Sequence, residues 1–105
     1  MQYRLEVFGF VASSDLASEY SSTTPTDQDN YFANFGLIDQ QNAFEWVQNH
    51  IQDFGGDPSN VTAFGVSAGS GSLHMHILSG DPAFDRAILM VWICTDYGSH
   101  ALENP

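Results

Sequence analysis

At 105 residues the chain has room for one small domain. Its composition, 43% hydrophobic and 13% aromatic, is that of a folding chain and excludes a disordered one. A net charge of −11, with only Arg4 and Arg86 against 13 acidic residues, argues against nucleic acid or anionic membrane as partners.

Tyr3 to Val11 (YRLEVFGFV) is rich in β-favouring residues. The alternation of Tyr3, Leu5 and Val7 predicts a strand, with Phe8 and Phe10 adding buried surface. Ala12 to Ala33 reads as a long polar loop around Pro25, and a loop of that length usually covers a site or runs over the surface. Within it, Asp27-Gln28-Asp29-Asn30 has the opening of a calcium loop but lacks the required glycine and closing glutamate, so no metal is assigned. Phe44, Val47, Ile51 and Phe54 then recur at helical spacing, with Leu37, Ala43 and Trp46 widening the stripe. Gly55-Gly56 supplies a helix stop, and Asp57-Pro58 turns the chain into the next strand. Val61 to Phe64 is a short apolar run that predicts a buried strand, and Ala68 to Leu78, small and apolar, predicts a buried helix. After a turn at Gly80-Asp81-Pro82, Arg86 to Cys94 (RAILMVWIC) is a continuous apolar run, as expected of a parallel strand covered on both faces. Cys94, the single cysteine, falls in that run as a buried thiol and excludes an internal disulfide. Strands alternating with helices predict an α/β fold with a parallel sheet. No stretch has the length and apolarity needed to cross a membrane, and no signal peptide is recognisable.

Gly65-Val66-Ser67-Ala68-Gly69 fits the G-x-S-x-G pattern of a nucleophile elbow, with a predicted strand before it and a predicted helix after it. Such a turn holds Ser67 in a strained backbone conformation with its hydroxyl exposed at the strand's carboxyl end. Gly65 and Gly69 are expected to let strand and helix approach closely. Ser67 is therefore the candidate nucleophile. Asp96 followed by His100 has the Ser, acid, His order of this fold, but the two lie close together in the final tail and are given no role. His74 and His76 are two apart on the elbow helix and point to different faces, which argues for packing or partial exposure and against a shared metal. His50, late in its helix, is read as a favourable neighbour of the helix end. Asn60-Val61-Thr62 is a glycosylation sequon at a turn.

These residues resemble the type-B carboxylesterases, the family of fungal esterases, lipases and cholinesterases within the α/β-hydrolase superfamily. Tyr3-Arg4-Leu5 with Phe8-Gly9-Phe10 is similar to the family's YRLGxFGF segment. Asn34-Phe35-Gly36-Leu37-Ile38-Asp39-Gln40 is similar to NxGLxDQ, and Asn42 to Val47 to NALxWV. Phe54-Gly55-Gly56-Asp57-Pro58-Ser59-Asn60-Val61-Thr62 resembles the FGGDPxxVT turn that leads into the elbow. Asp85 to Met90 resembles the FxRAIxxSG strand. The resemblance covers residues 3 to 90 in family order, so residues 1–90 are read as the central part of such a domain and residues 91–105 as a divergent tail.

The resemblance implies a partial α/β-hydrolase fold, with parallel strands, covering helices and a nucleophile elbow. It also implies hydrolysis of a small-molecule or lipid carboxylic ester through an acyl-serine, with no cofactor or metal. Ser67 would be the nucleophile and the Ala68 backbone N–H one oxyanion donor. The family's glycine-rich oxyanion segment lies upstream of Tyr3, and its triad acid and histidine lie far downstream of the elbow. The expectation is thus an incomplete domain lacking the triad acid and histidine. The alternative is a catalytically inactive truncated product or a non-catalytic relative. Three positions depart from the family: Glu6 stands where glycine is usual, Val66 replaces a glutamate, and Ser-Gly is absent after Met90. Secretion is common among fungal members. Unpaired sheet edges and uncovered apolar surface lead to an expectation of low solubility or partner-dependent folding.

Overall fold

The computed structural model describes residues 1–23, 33–80 and 82–91. The elements run α1 (Glu6–Phe10), α2 (Ser14–Thr23), α3 (Phe35–His50), a 3-10 turn (Ile51–Phe54), β1 (Thr62–Val66), α4 (Ala68–Ser79) and β2 (Arg86–Met90). Pro25, the Asp27 to Asn30 run, Asp81, Cys94, Asp96 and His100 lie outside the described residues, as does all of the 91–105 tail beyond Val91.

β1 and β2 pair in parallel, with Thr62 opposite Arg86 and Phe64 opposite Ile88, and α4 connects them. A parallel pair needs such a crossover, and the helix it supplies covers one face of the sheet. Ala63 is buried there, against Phe44 from α3, Leu73 from α4 and Phe84 from the turn before β2. Phe44 meets the Phe84 ring edge-on at 5.2 Å, tying α3 to the start of β2.

The opposite face of the sheet is uncovered among the described residues. Phe64 is 73% exposed and Ile88 53%. This corrects the expectation of a strand covered on both faces: the apolar run shows what β2 is suited to bury, and only the α4 side is buried here. Val91, at φ 52°, follows β2 with a β-branched residue in left-handed backbone.

The start of the chain also differs from expectation. Tyr3 to Val11 is not a strand: Leu5 is extended, and its carbonyl accepts from the N–H groups of Phe8 and Gly9, both at 3.2 Å, which closes the turn of α1. Alternation over a few residues cannot tell a strand from such a bend. Leu5, Val7 and Phe8 are exposed, so the surface expected to be buried is not. Gly9 is buried against the Arg4 backbone, and Gly36 of α3 receives the Phe10 ring, with no room for a Cβ at either place. Arg4 grips Asp39 of α3 through Nε to Oδ2 and Nη2 to Oδ1, both 2.8 Å, and through its backbone N–H at 3.0 Å. The Arg4 hydrogen bonds hold the Asp39 carboxyl well below the usual range, at about 2.

The expected polar loop from Ala12 also begins as a helix, α2. Ser13 caps it by accepting the Leu16 N–H on Oγ at 3.2 Å, and Asp15 sits in the first turn, where an acid favours the helix. α3 and its 3-10 extension match the helical spacing read over Leu37 to Phe54 and stop at Gly55, which adopts φ 83°. Their buried face is Gly36, Gln40 and Phe44, whereas Trp46 and Phe54 are exposed and contact each other at 5.9 Å between ring centres.

Candidate active site

Ser67 stands between β1 and α4 at φ 53° and ψ −117°. For a residue with a side chain this conformation costs on the order of 1–3 kcal/mol and persists only where the surroundings hold it. Two hydrogen bonds do so. The Ser67 N–H donates to the Met90 carbonyl at the end of β2, and the Ser67 carbonyl accepts from the Gly71 N–H inside α4, each at 3.0 Å.

The second bond also orients Ala68. The Ser67 carbonyl and the Ala68 N–H belong to one planar unit, so a carbonyl aimed into the helix turns the N–H outward from its amino end. No acidic side chain lies in that first turn to compete for it. Ser67 and Ala68 are both exposed.

Gly65 and Gly69 differ in what they do. A Cβ on Gly65 would come within 2.5 Å of the Gly69 backbone and 2.8 Å of the Ser70 nitrogen, so Gly65 is what lets α4 start so close to β1. A Cβ on Gly69 would meet nothing within 4 Å. Close approach is thus carried by Gly65 and by the backbone of Gly69, and does not require a glycine at 69. Gly69 lines a cavity of about 390 Å³, together with Gln40 and Phe44 of α3, Ala63 and Phe64 of β1, and Ser72 of α4.

Behind the elbow lies a polar relay that sequence reasoning did not single out. Gln40 is 3% exposed and His76 6%. His76 Nε2 lies 3.0 Å from Gln40 Oε1, Gln40 Nε2 donates to Ser72 Oγ at 3.3 Å, and Ser72 Oγ donates to the Ala68 carbonyl at 2.9 Å. The amide orientation that serves Ser72 places the proton on His76 Nε2. Burial pushes the His76 ring below its ordinary value of 6.5, and Phe44 packs edge-on against it at 5.4 Å. The available signal was the polar Gln40 at the centre of the Gly36–Phe44 face. Ser70 is fully buried, and its Oγ has no hydrogen-bond partner among the described residues.

The other candidates lie apart from Ser67. His74 is half-buried on a different face of α4 from His76, and His50 is exposed in the last turn of α3, 5.0 Å from the Trp46 ring. The His76 ring is engaged by Gln40 at Nε2. Asn60 is exposed, and its Oδ1 accepts from Arg86 Nη1. Among the described residues no helix is long and apolar enough to cross a membrane.

Residues 1–95 match the sequence model of the Carboxylesterase family. The chain is 47% identical over 91 residues to an acetylcholinesterase of Electrophorus electricus, covering 85% of this chain and 12% of that protein. It is 43% identical over 103 residues to a carboxylic ester hydrolase of Bombus ignitus, covering 90% of this chain and 16% of that protein. Identity to a fumonisin B1 esterase of Sphingopyxis macrogoltabida is 42% over 89 residues, 83% of this chain and 15% of that protein. The chain thus spans 12% to 16% of the length of these relatives.

Proposed function

Because the chain belongs to the carboxylesterase family, we propose that it carries the nucleophile segment of a carboxylic ester hydrolase with an α/β-hydrolase fold. Ser67 Oγ attacks the ester carbonyl carbon while the triad histidine, which the resemblance places far downstream of the elbow, removes its proton. Negative charge develops on the carbonyl oxygen, and the outward Ala68 N–H donates to it. One such donor is worth on the order of 3 kcal/mol in the transition state. The C–O bond then breaks, the alkoxide leaves with the histidine's proton, and water hydrolyses the acyl-serine by the same route. No cofactor enters. The substrate is a small-molecule or lipid ester; the relatives' names support an ester and no finer class.

The observation that carries this reading is the exposed Ser67 at φ 53° and ψ −117°, clamped between Met90 and Gly71. A second reading, a relative that keeps the serine without turnover, is favoured by one fact: His76, buried on the elbow helix, is committed to Gln40. Hydrolysis of a short-chain nitrophenyl ester by the purified chain and by Ser67→Ala separates the two. Turnover abolished by the substitution supports the hydrolase. Turnover equal to that of the alanine variant, in a folded sample, supports the second reading.

A further inference from the structure

Ser67 and Ala68 sit at the strained mouth of α4, where the Ser67 side chain makes no cap hydrogen bond. What reaches it is the relay from α3. Gln40 hydrogen-bonds both to His76, in the third turn of α4, and to Ser72, one turn before it. Ser72 in turn places a second donor on the Ala68 carbonyl. That carbonyl belongs to the same residue whose N–H is aimed outward, so fixing it limits rotation about Ala68.

We propose that Gln40 is a positioning residue for the elbow: its buried amide locks Ser72 and His76 in one hydrogen-bond direction and thereby holds the first turn of α4, and with it the outward Ala68 N–H. The assignment of a catalytic purpose rests on the hydrolase reading above. The positioning itself does not, and it is tested without turnover. The chemistry of the amide is specific, because only a group that accepts at one end and donates at the other serves both neighbours. A carboxylate of the same shape accepts at both ends. It would draw the Ser72 hydroxyl away from Ala68 while keeping the packing.

The Gly71 N–H is the natural reporter, since it bonds to the Ser67 carbonyl at 3.0 Å. The Asp85 N–H, bonded to the Val61 carbonyl at 2.9 Å away from α4, reports general loosening. Amide exchange by NMR is measured on the full chain, on Gln40→Glu and on the milder Ser72→Ala. In both variants Gly71 should exchange about tenfold faster, as expected when one buried hydrogen bond is lost, with Asp85 changing much less. Equal acceleration at both sites, or none at Gly71, overturns the proposal. A reading that needs no variant is the ¹⁵N spectrum of the His76 ring at neutral pH. The Nε2–H tautomer is expected. A ring carrying its proton on Nδ1 alone would also overturn the proposal.

Discussion

The backbone N–H of Ser67 donates to the carbonyl of Met90 at 3.0 Å, so the end of β2 holds the turn that follows β1. The two strands lie side by side in register, with Val66 opposite Met90, and the pairing runs one step past the sheet into the strained serine. The elbow is therefore a product of the strand–helix–strand unit as a whole. Its geometry depends on β2 reaching Met90 as much as on the five residues of the motif.

The glycines of the motif are predicted to differ in cost. Gly65→Ala forces a methyl into the Gly69 backbone, 2.5 Å away, and overpacking of that kind costs about 1–3 kcal/mol. Gly69→Ala meets open space in a helix, where alanine is favoured by about 1 kcal/mol over glycine. Urea unfolding should show Gly65→Ala markedly less stable than the parent and Gly69→Ala equal to it or better. A Gly65→Ala variant of parental stability would contradict the close approach.

Glu6 occupies left-handed backbone at φ 51°, a conformation that glycine adopts without strain. A side chain there costs about 1–2 kcal/mol, against about 0.5–1 kcal/mol for the extra freedom of an unfolded glycine. Glu6→Gly should therefore stabilise the chain by about 0.5–1 kcal/mol, read as a higher thermal midpoint. A lower midpoint would mean that Glu6 makes a contact outweighing its strain.

Stability should depend on pH through His76. Burial lowers the pKa of the folded ring below its ordinary 6.5. As pH falls through about 6.5 the unfolded chain binds the proton first, so stability is lost until the folded ring is protonated too. Thermal melts between about pH 7.5 and about pH 5.5 should show this loss. His76→Gln, which can still donate to Gln40, should show a smaller one. An unchanged slope would assign the pH dependence to other groups.

Phe64 and Ile88 face each other across the uncovered side of the sheet, 73% and 53% exposed. Phe64→Thr combined with Ile88→Thr should reduce binding of anilinonaphthalene sulfonate and reduce light scattering. The change in stability should stay within about 1 kcal/mol, since little buried surface is lost. Loss of folding would mean that this face is covered in solution.

The central unit was the most legible part of the sequence, because its signals are local and chemically distinct. Gly55 ends the 3-10 turn after α3 where a left-handed residue is needed, and the run before Gly65 pairs with the run after Arg86. The ends were less legible. Tyr3, Leu5 and Val7 alternate, but Gly9 lets the chain fold back on Arg4, a tertiary contact that no spacing reveals. The Ser13 cap of α2 was present in the sequence and was masked by the polar composition around it. The covering of β2 was overestimated because apolarity on two faces does not supply a partner for each. Gln40 was missed because a glutamine on a helix is usually solvated, and its burial follows from the approach of α4.

Acylation or phosphonylation of Ser67 tests the account most directly. The folded chain and Ser67→Ala are treated with a fluorophosphonate, with and without added imidazole, which can serve as a diffusible base. The adducts are then located by peptide mass. The account predicts one adduct, on Ser67, that increases with imidazole and is absent from the alanine variant. A folded chain that leaves Ser67 unmodified under both conditions, or that carries its adduct elsewhere, would contradict Ser67 as the nucleophile.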